Sequence, residues 1–273
     1  MKAILRNALL LAVLFADAGQ VTAAAPDPLA KSLQGHLQPS VAVFLEHHRA
    51  ERRYKNADFP MPPAEFSKFK ADLRGELTRG LGLEKWVVRK PPGKTSPIAA
   101  RFRDQVIDRQ EIHGVAVEIH AVVLEPAGLA VPMVLCLPPK EYPVAPGICV
   151  FSGHTTHGLR DLVLDLDSYQ QGAAIRLARA GLATIAVEKI DTGYLSRHGA
   201  KGNDETVIAT LLLGREAVLR SHQLRACLAA TEILAGHPRV DETRIGAAGV
   251  SLGGWLSIQT ALLNDRIRAV ADF

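Results

Sequence analysis

Cysteine is scarce in this chain, with three in 273 residues, and Cys136, Cys149 and Cys227 show no Cys-x-x-Cys spacing. An odd set of three cannot pair completely, so the fold is not a disulfide-built scaffold. Each of the three sits in an apolar or helical run, which reads as a small buried hydrophobe. A single Cys136 to Cys149 bridge stays open if their two strands lie side by side. An excess of one charge is also missing: 32 Lys and Arg stand against 28 Asp and Glu, a formal charge of +4. These charges are scattered and form no stripe, which excludes a basic footprint for nucleic acid. No internal repeat or low-complexity tract interrupts the chain.

The N-terminus carries a secretory pattern. Lys2 and Arg6 supply the positive region, Ala8 to Ala16 the apolar one, and Val21-Thr22-Ala23-Ala24 the small-residue cleavage site. This apolar run is well short of the ~20 residues a spanning helix needs. Residues 1–24 therefore read as a signal peptide and the protein as exported, periplasmic or extracellular, with no membrane span after cleavage. Residues 25–97 read as a helical N-terminal cover, with helices over Val41 to Arg52 and Pro63 to Leu83. In the second, Phe66, Phe69, Leu73, Leu77 and Leu81 recur at helical spacing.

From residue 98 the pattern changes. Val115 to Val122 alternates as a half-buried strand of an antiparallel hairpin with Val131 to Leu137, and His113 and His120 fall on its rim or polar face. Beyond Gly147 apolar strands alternate with helices. Strands are expected at Ile148 to Phe151, Ala183 to Val187, Ile245 to Ala248 and Ile267 to Ala271. Helices are expected at Tyr169 to Ala180, Glu216 to Ala235 and Leu252 to Leu263. Such alternation implies an α/β fold, a mostly parallel sheet with helices on both faces, over residues 98–273.

Within that series Gly249-Val250-Ser251-Leu252-Gly253-Gly254 joins a strand to a helix. The letters alone are a weak signal, since a Gly-rich turn that packs a helix close to a sheet would use them too. Their position sharpens the signal. A serine on a sharp strand-to-helix turn has its hydroxyl lifted above the sheet, and flanking glycines, here Gly249 and Gly253, allow the tight fold. Ser251 is therefore the candidate nucleophile. Leu252 supplies one backbone N–H of an oxyanion hole. The loop Ser152 to Gly158 after the strand Ile148 to Phe151 supplies the second, from His154 or Thr155.

A serine nucleophile needs a histidine base and a carboxylate to orient it, in the chain order Ser, acid, His. Asp265 and Asp272 are the only carboxylates after Ser251, and no histidine follows. The expectation is a copy of the fold that is incomplete in its C-terminal part, without the triad acid and histidine. Its open sheet would expose an apolar edge and associate. His154, His157, His198, His222 and His237 precede the serine and break the expected order. A metal shared by His154 and His157 lacks a third ligand at any marked spacing, so no metal or cofactor is implied. The polar loop Asp191 to Glu205 follows a parallel strand, where it can line a pocket.

The runs Cys149 to Gly158, Ala183 to Tyr194 and Arg239 to Trp255 resemble a secreted bacterial α/β-hydrolase of the acetyl xylan esterase-like and dienelactone hydrolase-like groups. The resemblance implies a carboxylic ester hydrolase working through an acyl-enzyme, on a small-molecule or carbohydrate-linked ester. Two departures bear on the subgroup: the nucleophile is Ser where some dienelactone hydrolases have Cys, and the loop reads Gly-His-Thr-Thr-His-Gly in place of a plain His-Gly. Two other readings share the elbow, a prolyl oligopeptidase-type peptidase and a non-catalytic scaffold. Residues 25–97 are too short and too helical for the propeller that the former usually carries.

Overall fold

The computed structural model describes residues 62–89, 93–126, 128–196 and 219–273. The expected signal peptide, the helix over Val41 to Arg52 and the loop after Ser196, with His198, lie outside the described residues. The first described helix, α1 (Pro63–Leu81), is followed by a short 3-10 turn at Glu84–Trp86 that buries Trp86. Next come the strands β1 (Phe102–Ile112), β2 (Val115–Leu124), β3 (Leu129–Leu137) and β4 (Ala145–Phe151). The remaining elements are α2 (Leu159–Val163), α3 (Ala173–Arg179), β5 (Ala183–Val187), α4 (Leu219–Gly236), β6 (Val240–Gly249), α5 (Leu252–Leu263) and β7 (Ile267–Asp272).

The strands form one sheet in the order β1-β2-β3-β5-β4-β6-β7. The pairs from β1 to β5 are antiparallel and those from β5 through β4 and β6 to β7 are parallel. β2, β4, β5, β6 and β7 therefore run one way, against β1 and β3. β5 is buried at every residue, as a strand covered on both faces must be. The chain moves outward from β4 to β5 and then crosses back over β4 to β6. Right-handed crossovers in opposite directions put α2 and α3 on one face and α4 and α5 on the other. The fully buried Leu224, Leu228 and Leu234 of α4 pack on the second face with Cys149, Phe151, Ile185 and Ile245. Each such leucine contributes about 1.5–3 kcal/mol of hydrophobic stabilisation.

Four local expectations change. β1 is a strand that its charged sequence hides, because it is an edge strand with most residues exposed. His120 is buried at 3% exposure, its Nδ1 2.8 Å from Asp104 Oδ1. It therefore shares the inward face of Val122 and Leu124 and not the polar one. The helix expected from Tyr169 begins only at Ala173, because Gln171 (φ 52°) and Gly172 (φ 60°) turn the chain left-handed before it. The Cys136 to Cys149 bridge is excluded because β5 lies between their strands. All three thiols are free and buried. Burial pushes those of Cys136 and Cys149 up to about 12, so they are not thiolates at neutral pH.

At the β7 edge the apolar surface is open. Trp255 is 65% exposed and Ile258 48% on α5, with Val270 and Phe273 beside them at 40% and 44%.

Candidate active site

The crossover reversal at β4 leaves a crevice at the carboxyl ends of β4 and β6, the place where open α/β sheets bind ligands. Phe151, the last residue of β4, pairs with Gly249, the last of β6, so the loop 152–158 and the turn 250–252 leave the sheet side by side. Ser251 sits on that turn with φ 55° and ψ −117° and is exposed. A side-chain-bearing residue in this region costs about 1–3 kcal/mol and persists only where its surroundings over-determine it. Here they are main-chain bonds: Ser251 N–H donates to Phe273 C=O at 2.8 Å, and its own C=O accepts from Trp255 N–H at 3.1 Å.

Three glycines make the turn possible by close approach. A Cβ on Gly253 would run into the carbonyl of Phe151, one on Gly249 into the backbone of Gly253, and one on Gly254 into the carboxylate of Asp272. α5 thus starts directly against the ends of β4 and β6, and Ser251 heads it. Leu252 occupies the first helical position, where an N–H has no intrahelical acceptor, and Gly253 N–H is taken by Val250 C=O at 2.8 Å. The positive end of the helix dipole adds to this donor.

The facing loop is held from two sides. Gly153 packs against the elbow, where a Cβ would lie 2.7 Å from Val250 O and 3.3 Å from Tyr169. Its N–H donates to Gln170 Oε1 at 3.2 Å, and its C=O accepts from Lys189 Nζ at 2.6 Å. Further along, Thr155 Oγ1 donates to Asp161 Oδ2 and accepts from His157 N–H. His157 Nδ1 lies 3.3 Å from the other oxygen of Asp161. The amides of Gly153 and His157 are therefore committed to the protein. His154 is exposed at the turn itself.

Below the loop lies a buried carboxyl group that sequence reasoning passed over. Glu188 accepts from Leu159 N–H, Tyr194 N–H and Thr192 Oγ1, so it joins the loop after β4 to the loop after β5. Gly158 and Gly193, both at positive φ, leave the space it fills. Burial pushes its acid up to about 7, against the lowering effect of those same donors. The signal was available: Glu188 and Lys189 are two charges placed directly after a wholly apolar strand.

Other histidines have other partners. His113 Nε2 lies 2.7 Å from Leu164 O, and His237 Nε2 lies 3.8 Å from Glu118 Oε2. Asp272, left without a role by sequence, has its carboxylate against Gly254 in the first turn of α5.

A family model described as acetyl xylan esterase (AXE1) matches residues 173–273. Among solved structures the chain is similar to a proposed acetyl xylan esterase of Bacteroides fragilis. Identity is 18% and the TM-score 0.63, over 86% of this chain and 60% of that one. It also aligns with acetyl xylan esterase 1 from a Thermoanaerobacterium species, at 18% identity and a TM-score of 0.48, over 78% of this chain and 62% of that one. No curated protein matches the sequence at a significant level. The chain thus spans about 60% of the length of the Bacteroides structure. The chain has the α/β-hydrolase fold, and its residues 173–273 carry the sequence pattern of the acetyl xylan esterase family.

Proposed function

We propose that this protein is a serine hydrolase of carboxylic esters, exported from the cell, with Ser251 as nucleophile. The observation that carries the reading is the backbone of Ser251, a strained, exposed serine between β6 and α5. Strain kept at an exposed residue by three glycine contacts fits a reactive position better than a packing one. In this reading Ser251 Oγ attacks the ester carbonyl carbon and gives its proton to an imidazole base. The carbonyl oxygen becomes an oxyanion held by Leu252 N–H and an N–H of the facing loop. The alcohol then leaves with a proton, and water releases the acid from the acyl-enzyme.

The substrate class follows from the crevice and the family pattern together. Tyr169 (58% exposed) stands beside Gly153, and Trp255 (65% exposed) lies one helical turn after Ser251. An exposed aromatic face beside the loop that faces the serine suits a sugar ring, so the proposed substrate is an acyl ester of a carbohydrate, acetate being the acyl group that the matched family's name supplies.

The test is to treat the gene product of the source organism with a fluorophosphonate and locate the adduct by mass spectrometry. The expected result is a single adduct at Ser251, with loss of aryl acetate hydrolysis in proportion. No adduct at Ser251, in a preparation that still hydrolyses the ester, would overturn the assignment. A preparation with neither adduct nor hydrolysis would favour the scaffold reading. Cleavage of a prolyl peptide, with no ester turnover, would favour the peptidase.

A further inference from the structure

We infer that the cavity between α4, the turn after α1 and the loop after β2 is a binding site for a sugar acid, a polyhydroxylated molecule that carries one carboxylate. The cavity has a volume of about 380 Å³. Its wall is assembled from distant parts of the chain: Glu84, Lys85 and Trp86 from the 3-10 turn after α1, Arg101 from the short turn before β1, Glu125 from the end of β2, and Arg225 from α4. β2 lies four places from β6 in the sheet, about 19 Å at the usual strand spacing, and the cavity shares no lining residue with the crevice at Ser251.

Arg225 is the centre of this site. Its guanidinium carbon lies 5.9 Å from the centroid of the Trp86 ring, within the range of a cation–π contact. Trp86 is itself buried, so the ring holds the guanidinium in one place. The protein uses little of its donor capacity. Nε is enclosed with no acceptor, and Nη2 reaches only the Gly82 C=O, at 3.5 Å. A buried donor without an acceptor costs free energy that a bound acceptor removes. Burial also shifts this guanidinium below the ordinary arginine range, and no carboxylate counters the shift. A carboxylate matches the planar fork of an arginine with two parallel bonds.

The rest of the wall narrows the ligand class. Three cations line the cavity, Lys85, Arg101 and Arg225, and among the described residues none of them is in an ion pair. Glu84 and Glu125 share the wall with them, and Glu125 lies 3.3 Å from Arg103 Nη2. Unpaired cations call for an anion. The two carboxylates repel an ion of high charge but accept hydrogen bonds from hydroxyl groups. The volume exceeds what one inorganic anion fills, since at about 30 Å³ each it would hold roughly a dozen waters. The methylene stems of Lys85, Arg101 and Arg225 suit the C–H faces of a sugar ring. One carboxylate on Arg225, with ring hydroxyls toward Glu84 and Glu125, satisfies all of these conditions together.

The experiment titrates the full gene product with D-glucuronate, D-glucose, inorganic phosphate and citrate by calorimetry, and follows the indole N–H signals of Trp86 and Trp255 by NMR. D-Glucuronate is expected to bind at least tenfold more tightly than D-glucose, and to move the signal of Trp86 but not that of Trp255. Arg225→Met should weaken the binding at least tenfold, the effect of losing hydrogen bonds to a charged group. Arg225→Lys, which keeps the charge without the fork, should lose less. Arg244→Met removes an exposed arginine that pairs with Asp241 and should bind as the wild type does. Absence of binding, binding that leaves Trp86 unmoved, binding no tighter than that of D-glucose, or binding that survives Arg225→Met would overturn the proposal. Tighter binding of phosphate or citrate than of D-glucuronate would overturn the sugar-acid class. Should Arg225→Met not fold, Arg101→Met decides: a severalfold weakening is expected, and unchanged binding would overturn the site. Ser251→Ala should bind D-glucuronate as the wild type does, so a failure of the ester-hydrolase reading leaves this result standing.

Discussion

The two ends of the parallel strands are built on opposite principles. At the amino ends, charges are buried only where their partners surround them. The guanidinium of Arg266 donates to Glu232 Oε1 at 2.9 Å and to Thr95 C=O at 3.0 Å, and Glu242 lies 3.5 Å away. Asn264 donates to the same Glu232 oxygen. Nearby, Arg239 donates to the carbonyls of Pro138, Pro139 and Tyr142. At the carboxyl ends the chain instead holds Ser251 and Asp191 at positive φ, 55° and 101°, and encloses a carboxyl group in Glu188 whose acid stays near neutrality. At one end the buried charges are paired and fix the fold; the other keeps strain and titratable groups, as sites of chemistry do.

The sharpest way to break this contrast is at Ser251 itself. Ser251→Ala should lower ester hydrolysis by about 10⁵–10⁶-fold, the range seen when a nucleophilic serine is removed. It should leave the denaturant midpoint unchanged. Ser251→Gly should be as inactive and more stable by about 1 kcal/mol, because relief of positive φ exceeds the entropy a glycine adds to the unfolded chain. A destabilised Ser251→Gly would mean that the turn is not strained.

At the opposite end the signs reverse. Arg266→Met leaves the carboxylate of Glu232 buried without its charged partner and should cost about 3–5 kcal/mol of stability, read by chemical denaturation. The rate of Ser251 phosphonylation in the folded protein should not change. Between these extremes, Gly253→Ala strikes both functions. Its Cβ meets the carbonyl of Phe151, which is backbone and cannot swing aside, so α5 must shift. A loss of about 1–3 kcal/mol is expected, together with a fall in kcat, since Leu252 N–H moves with the helix.

How much of this was legible in the sequence depends on whether the determining contact is local. β5 over Ala183–Val187 and α5 over Leu252–Leu263 follow from short apolar runs, a glycine stop and the elbow letters. β1 was illegible because an edge strand with charged residues on both faces has no alternation to read. His120 was misplaced because its burial depends on Asp104, which lies on that unread strand. For Lys189 and Glu188 the sequence marks two charges after an apolar strand, but their partners were hidden for a related reason. Their partners, Gly153 and Leu159, lie 36 and 29 residues earlier in the chain, and only the pairing of β4 with β5 brings them together.

The smallest expected effect is a matter of pH, and it separates the two ends without touching the serine. Burial raises the Glu188 acid from 4.5 to about 7 in the folded protein. Between those values the unfolded chain has released the proton and the folded one has kept it. Fewer protons bound in the unfolded state means that stability falls as pH rises through this window. The contribution of Glu188 is thus fully present below pH 4.5 and lost as the pH passes about 7. Relative to wild type, Glu188→Gln should flatten the decline in melting temperature between pH 5 and pH 7.5, values chosen to bracket that window. Arg266→Met should shift the whole curve down and leave its slope alone. A wild-type curve parallel to that of Glu188→Gln would show that the carboxyl ionises in the folded state as it does in the unfolded one. The carboxylate would then be held by Leu159, Thr192 and Tyr194 as firmly as Arg266 is held by its partners, and the two ends of the sheet would no longer differ in kind.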